Sequence, residues 1–541
     1  MSGRYCALLL LIGLCGGCGD ASPPQLSGEP KTQVAPHLAE RLGNEPDRDM
    51  SRMDEDRPVA PVNEAYAPII DNPFLSVDQT PLSTFSIDVD TASYANVRRF
   101  LTQGQLPPQG AVRIEELLNY FQYDDPLPQH ETPFSVTLEV AECPWRPEHR
   151  LARIGLRGRE IPREERPVSN LVFLIDVSGS MQTIQKLPLV KAGLKLLVEQ
   201  LGENDRVAIV VYAGATGLVL PSTTGDQKQA ILSAIDHLQA GGSTNGGAGI
   251  ELAYRVALEN FIEHGVNRVI LCTDGDFNVG VTSREQLVGL LQQQARSGIF
   301  VTVLGFGMGN YQDSMLETLA DKGNGNYGYI DSLAEARKLL VEQLQGTLMT
   351  IAKDVKLQVE FNPQQVSAYR LIGYENRMLA TADFQDDRRD AGEIGAGHSV
   401  TALYELTPVS AATTSGESAA RTPRGDGELA GGGIAPHSDE LFALRLRFKL
   451  PEEDESRLIE FSAFDRGTTT RQASHDLTWA AAVAGFGMLL RDSPHRGNLT
   501  LPQVLELVES SVGEDRAGHR REFLQLVRSA QSLLRSAAIG L

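Results

Sequence analysis

Short apolar runs alternate with stretches of helical periodicity throughout residues 168–347. The runs are continuous, which is typical of strands buried on both faces of a parallel sheet. Strands are predicted near 171–176, 206–212, 268–274, 299–304 and 326–330. Helices are predicted near 185–201, 226–238, 247–264, 283–296, 312–321 and 332–346. This alternation predicts a doubly wound parallel sheet with helices on both faces.

The segments on either side of this α/β region have a different pattern and predict further domains. Apolar and polar positions alternate within 131–167 and again within 348–470, which predicts a β-sandwich into which the α/β domain is inserted. The Ser-, Gly- and Pro-rich stretch 408–438 is predicted to be a flexible loop of that sandwich. Helical stripes predict a small N-terminal α/β module at 80–130 and a C-terminal helical region at 471–541.

Oxygen-bearing side chains follow the predicted strands of the α/β domain. Asp176, Ser178 and Ser180 come directly at the end of one strand, and Asp274 ends another. Thr244 lies between them in the sequence, in a glycine-rich loop before a helix. Because ligands of open α/β sheets bind at the carboxyl ends of the strands, we expect these side chains to lie close together. Carboxylate and hydroxyl oxygens suit a hard divalent cation, Mg²⁺ or alternatively Mn²⁺.

The order of these motifs resembles the von Willebrand factor type A (VWA) domain and its metal-ion-dependent adhesion site. That site uses an Asp-x-Ser-x-Ser motif, a loop threonine and an aspartate at a strand end. The resemblance implies that Ser178, Ser180 and Thr244 contact the metal through their hydroxyls. It also implies that Asp176 and Asp274 act mostly through bound water, and that a carboxylate of a partner protein completes the coordination.

Two further segments extend the resemblance beyond the VWA domain. Residues 83–94 and 112–121 are similar to the front module of YfbK-type bacterial envelope proteins. That family places the front module before a VWA domain and follows the VWA domain with a distinctive C-terminal region. The resemblance therefore implies the domain order of most of the chain after residue 80.

The N-terminus predicts export and a lipid anchor. Residues 1–18 contain Arg4 and a short apolar run that is too short to span a membrane, and they end in small residues and Cys18. This pattern is similar to the processing site of bacterial lipoproteins, although cleavage without lipidation is the alternative. A lipid on Cys18 would hold the protein at the cell envelope, on the periplasmic or the surface side. Residues 19–79 are rich in Pro and charged residues, and they are predicted to be a disordered linker.

Charge and cysteine content exclude several classes of partner and site. The 541 residues contain 49 Lys and Arg against 70 Asp and Glu, a formal net charge of −21, which argues against nucleic acid as a partner. Beyond position 18 the cysteines are Cys143 and Cys272, so neither a disulfide framework nor a zinc-binding spacing is predicted.

These features predict a binding protein rather than an enzyme. The expected function is capture of a protein partner through the divalent cation, with the lipid anchor as the contact to the membrane. Two alternatives remain open, namely a structural envelope scaffold whose metal staples loops, and a metal-dependent hydrolase. Against the hydrolase, no nucleophile, general base or phosphate-binding loop accompanies the motif, and His264 and Asp276 are the nearest candidates in the sequence.

Overall fold

The computed structural model describes residues 64, 66–87, 89–129, 132–242, 246–275, 284–308, 312–343, 346, 348–389, 391–409 and 439–539. The predicted export signal, Cys18 and most of the predicted linker lie outside these ranges. Thr244, Asp276 and most of the predicted loop at 408–438 also lie outside the described residues.

The elements are numbered in chain order. The strands are β1 (Leu75–Ser76), β2 (Leu82–Ser86), β3 (Phe134–Cys143), β4 (Arg146–Gly158), β5 (Ser169–Asp176), β6 (Arg206–Tyr212), β7 (Thr216–Thr224), β8 (Val266–Thr273), β9 (Ile299–Phe306), β10 (Tyr327–Ile330), β11 (Thr350–Phe361), β12 (Val366–Ile372), β13 (Gly392–Gly395), β14 (Ser399–Pro408), β15 (Glu440–Lys449) and β16 (Arg457–Phe464). The helices are α1 (Ala92–Thr102), α2 (Ile114–Asn119), α3 (Leu187–Gln200), α4 (Lys228–Asp236), α5 (Gly246–Glu259), α6 (Arg284–Arg296), α7 (Asp313–Lys322), α8 (Leu333–Arg337), α9 (His475–Leu490), α10 (Leu501–Ser511) and α11 (His519–Ile539).

Strand β5 lies inside a sheet that is ordered β10–β9–β8–β5–β6–β7. Neighbouring strands run parallel from β10 to β6. On one face of β5, Leu171, Phe173 and Ile175 share an apolar core with α3 and α4. On the other face, Val172 and Leu174 share a core with α5, α6 and α7. Helices therefore cover both faces, which explains the continuous apolar run and confirms the predicted doubly wound α/β fold.

Strand β7 is an antiparallel edge strand that the apolar pattern does not predict. It pairs with β6, and its residues Leu218 and Val219 are exposed. An edge strand has a neighbour on one side only and need not be apolar on both faces. The prediction of a wholly parallel sheet is therefore corrected by one antiparallel strand in the described part of the chain.

Two antiparallel sheets form a sandwich beside the α/β unit. One is ordered β1–β12–β14–β4–β3, and the other is ordered β13–β11–β15–β16 with β2 also paired to β11. Between the sheets, the rings of Phe361 and Tyr369 stack with centroids 4.0 Å apart, and those of Phe134 and Phe448 lie 4.9 Å apart. The chain leaves one sheet at the end of β4, forms the α/β unit, and returns at β11 in the other sheet.

The N-terminal boundary of the folded body differs from the prediction. Strand β1 lies within the predicted linker 19–79, where Leu75 aligns with Tyr369 of β12 and Val77 is buried. Strand β2 belongs to the predicted separate module 80–130, yet it pairs with β11 of the sandwich. A two-residue strand leaves no periodic pattern, and the partners of both strands lie far along the chain. Local sequence therefore could not indicate either pairing.

The front helices pack against the C-terminal helices around a further apolar core. Helices α1 and α2 contribute to it together with α9, α10 and α11. Trp479 is fully buried there, with its ring centroid 5.0 Å from that of Phe121 and 5.4 Å from that of Phe523. None of the helices in the described ranges combines the length and the apolar character needed to cross a membrane.

Candidate metal centre

Asp176 is the last residue of β5 and is fully buried. The backbone N–H of Ser178 donates a hydrogen bond of 2.8 Å to Oδ1 of Asp176, which fixes the turn that follows the strand. The other oxygen, Oδ2, is buried and receives no hydrogen bond of normal geometry from the described residues. One oxygen of this carboxyl group therefore holds the loop, while the other has unused capacity to bind a cation.

The two serines of the motif lie side by side. Their Oγ atoms are 3.0 Å apart, and the 3-10 turn Gly179–Gln182 brings them together. Ser178 is buried, whereas Ser180 is exposed at the rim. The predicted hydroxyl pair is thus assembled next to Asp176, with one hydroxyl accessible from solvent.

Asp274 directly follows β8, the neighbour of β5 in the sheet, and it is also fully buried. Parallel pairing of β5 and β8 brings the carboxyl ends of both strands to the same edge. Oδ2 of Asp274 accepts a hydrogen bond of 2.8 Å from Nζ of Lys186, whose side chain is 7% exposed. Asp274 is therefore already paired with a positive charge inside the site.

The loop that leads to Thr244 is attached to the same turn. The N–H of Gly241 donates to the carbonyl of Val177 at 2.7 Å, and the N–H of Gly179 donates to the carbonyl of Gly242 at 3.0 Å. These bonds place the loop beside the Asp-x-Ser-x-Ser segment up to two residues before Thr244. Thr244 itself lies outside the described residues.

The electrostatics of the site favour a bound cation. Burial raises the pKa of Asp176 to about 6, the hydrogen bonds from Ser178 oppose this shift, and the negative charge of Asp274 adds to it. Burial also raises the pKa of Tyr212, which lies beside Asp176, well above its usual value, and the charge of Asp176 adds to the shift. A cation next to Oδ2 of Asp176 would relieve the cost of this buried negative charge.

The donor set fits a hard divalent cation and no soft one. Asp176, Asp274, Ser178 and Ser180 offer oxygen atoms only, as Mg²⁺ and Mn²⁺ prefer. Within the described ranges, no group of three or more His, Cys, Asp or Glu side chains could hold a metal ion. A cation at this edge would therefore depend on hydroxyl oxygens as well as on carboxylates.

Lys186 is the site residue that the sequence analysis misses. It directly precedes α3, whose first turn contains no acidic residue. A positive charge at the N-terminus of a helix opposes the helix dipole. The sequence feature that indicates an acidic partner for Lys186 is its position after the Asp-x-Ser-x-Ser motif and before an apolar helix.

His264, one of the two candidates for hydrolytic chemistry, lies away from the site. His264 precedes β8, whereas Asp274 follows it, so these residues lie at opposite ends of one strand. The His264 side chain is 82% exposed and lies 3.9 Å from the carboxylate of Glu263. Asp276 lies outside the described residues.

Cys143 and Cys272 are buried thiols whose pKa values are raised by burial, which suits packing rather than reactivity.

The fold and the site define the class of protein. Residues 170–345 match the model described as von Willebrand factor type A domain, and residues 60–153 match a model described as von Willebrand factor. The chain thus carries a VWA domain, a class of domain that often mediates protein–protein interaction and commonly binds a divalent cation.

The similarity to known proteins extends beyond the VWA domain. Residues 346–533 match the model described as uncharacterized protein YfbK, C-terminal. The chain is 44% identical to the uncharacterized protein YfbK of Escherichia coli (strain K12) over 480 residues, which cover 87% of this chain and 82% of that protein. This protein belongs to the YfbK family.

Other similarities cover a smaller share of this chain or have a lower sequence identity. The inter-alpha-trypsin inhibitor heavy chain H1 of Homo sapiens is 30% identical over 36% of this chain and 22% of its own length. A solved structure described as von Willebrand factor type A from Catenulispora acidiphila is 16% identical with a TM-score of 0.40, covering 73% of this chain and 91% of its own.

Proposed function

We propose that this protein is a cell-envelope binding module that captures a partner protein through a divalent cation at the metal centre. The observation that carries the proposal is the buried Oδ2 of Asp176, which lacks a normal hydrogen bond from the described residues and lies within a set of oxygen donors. Burying a carboxylate oxygen that lacks a full hydrogen bond is costly, so the arrangement favours a bound cation. Mg²⁺ is the first choice and Mn²⁺ the second.

Each site residue has a defined part in the proposal. The hydroxyls of Ser178, Ser180 and Thr244 would bind the cation directly, whereas Asp176 and Asp274 would hold it mostly through water. The cation supplies a positive charge that attracts a carboxylate from the partner protein. The exposed rim at Ser180 gives that carboxylate a route to the site.

The N-terminal segment supports a location at the cell envelope. The export signal, the processing pattern at Cys18 and the Pro-rich charged linker together fit a lipid anchor with a long tether. Such a tether would let the binding face reach partners at a distance from the membrane.

A structural scaffold is the second candidate. The pair of Lys186 and Asp274 already connects the segment after β5 to the end of β8 without any metal. In a scaffold, a cation would add to this staple and would capture nothing. Partner binding that depends on the cation separates the two functions.

Metal binding is the first test of the proposed site. Isothermal titration of Mg²⁺ and Mn²⁺ into the full chain should show one binding event that Asp176→Ala abolishes, because the buried carboxylate is lost. Circular dichroism of the variant should stay native, since Asp176 ends β5 at the edge of the sheet and is not part of the apolar core. Asp226→Ala removes an exposed carboxylate elsewhere on the same domain and should bind like the wild type. Equal metal binding by all three proteins would rule out the assigned site.

A further inference from the structure

We infer that Lys186 determines the affinity and the ligand preference of the metal centre, as a built-in positive charge that neutralises Asp274. The inference rests on the proposed function and adds a residue that the Asp-x-Ser-x-Ser motif does not contain. Lys186 weakens the binding of the cation alone and strengthens the attraction of the loaded site for an anionic partner.

The position of Lys186 is enforced by its surroundings. Its Nζ lies 2.8 Å from Oδ2 of Asp274, and the two side chains are 7% and 0% exposed. The methylene groups of the lysine pack so closely against Gly307 that a β-carbon at that position would overlap them. The carbonyl of Gly307 is in turn held by a hydrogen bond of 2.6 Å from the hydroxyl of Tyr329. The lysine is thus enclosed rather than free to swing into solvent.

The location of Lys186 carries an electrostatic cost. The ammonium lies next to the N-terminus of α3, where the helix dipole is positive. Its buried position also removes water from the charge. The pairing with Asp274 compensates both costs, and this ties the lysine to the metal centre rather than to the packing of α3.

The charges around the site give the consequence. Of the described residues, Asp176, Asp274 and Lys186 together carry one negative charge, so a divalent cation gives this group of residues a net charge of one positive. Without the lysine, the two carboxylates would neutralise the cation fully. Buried charges at these distances interact strongly, so the loaded wild-type site attracts a carboxylate more than a site without Lys186 would.

Mn²⁺ titration of the full chain tests this inference. Lys186→Met should bind Mn²⁺ about tenfold more tightly than the wild type, because the competing positive charge is removed. Lys195→Met is the matched control, since it removes a lysine of α3, the helix that Lys186 precedes, and the partner of Lys195, Asp236, is at the surface. That variant should keep the wild-type affinity.

Acetate provides the second readout as a simple carboxylate. Acetate added to the Mn²⁺-loaded protein should displace water from the metal, and the enhancement of water proton relaxation should fall. The acetate affinity of Lys186→Met should be about fivefold lower than that of the wild type, because the net positive charge is lost.

The outcomes distinguish a failure of the inference about Lys186 from a failure of the proposed function. If the wild type binds Mn²⁺ and folded Lys186→Met binds it equally or more weakly, the role of Lys186 is overturned and the proposed function stands. Absence of Mn²⁺ binding by both proteins overturns the proposed function and the inference together. If Lys186→Met does not fold, Lys186→Gln keeps a hydrogen-bond donor without the charge, and the same tighter binding is expected of it.

Discussion

Buried charges set the behaviour of single residues in this protein. Asp176 at the candidate metal centre and Lys338 beyond the end of α8 are both buried, and burial shifts the pKa of each in the direction that favours the neutral form. Asp176 ends a strand at the rim of a sheet, where a cation could compensate it. Lys338 donates a hydrogen bond of 2.9 Å to the carbonyl of Tyr120 and lies over the ring of that residue. The position of Asp176 therefore suits binding of a cation, whereas the position of Lys338 suits contact between domains.

Lys338 should make stability depend on pH. Burial lowers its pKa to about 7, and the charges that act on it are those of Glu335, Arg98, Glu342 and Glu522. Between about pH 7 and 10 the unfolded chain holds a proton on this lysine that the folded chain has released. Lys338 should therefore contribute a rise in the free energy of unfolding with pH in this window, by at most about 1.4 kcal/mol per pH unit.

Urea unfolding at several pH values measures this effect as a difference between proteins. Lys338→Met should lack this contribution, so its free energy of unfolding should rise less with pH than that of the wild type, whereas Lys195→Met should retain the contribution because Lys195 is at the surface. Burial raises the pKa values of Cys143 and Cys272 in the folded chain, so these thiols lose their protons in this window only in the unfolded chain. This effect has the opposite sign and is the same in all three proteins. Parallel pH profiles of the wild type and Lys338→Met would contradict the prediction.

At the scale of elements, the ends of neighbouring strands assemble the site and the adjoining loops shape it. The segment after β5 carries the motif, the residue after β8 carries the second carboxylate, and the residue after β9 is Gly307. Gly307 has φ +79°, a conformation that favours glycine, and it lies against the side chain of Lys186. The loop after β9 therefore helps to hold the lysine at Asp274.

Gly307→Ala should destabilise the protein by about 2–3 kcal/mol, because the methyl group is strained by the positive φ and overlaps Lys186. Gly289→Ala is the matched control, since Gly289 lies in α6 and a β-carbon there would meet no atom within 4 Å. The control should be neutral or more stable by up to about 1 kcal/mol. Urea unfolding in chelator measures both changes, and an equal effect of the two substitutions would contradict the close packing at Gly307.

At the scale of the whole molecule, buried and partly buried ion pairs connect the VWA domain to the segments on both sides of it. Arg98 of α1 contacts Asp331 and Glu335 of the VWA domain and also Glu522 of α11. Arg377, after β12, contacts Asp321 of α7 at 2.8 Å. Breaking one partner of a buried pair is strongly destabilising. These contacts fix the VWA domain against its neighbours, so it is more than an insertion held by two linkers.

Local patterns predict the α/β fold and most residues of the candidate metal centre because their signals lie within single elements. The apolar run 171–176 and the oxygen side chains after it are visible in the sequence without any partner. Strand β2 and Lys186 are different, since their partners are β11 and Asp274, which are distant in sequence. Their roles become visible only once the sheet brings those partners together.

Capture of a partner protein from envelope extract is the measurement that tests the central claim most directly. The immobilised full chain would be compared in Mg²⁺ and in chelator, next to Asp176→Ala and the surface control Asp226→Ala in Mg²⁺. We predict a protein that the wild type and Asp226→Ala retain in Mg²⁺, and that both chelator and Asp176→Ala release. The same set of proteins under all four conditions would contradict cation-dependent capture and would favour a structural scaffold.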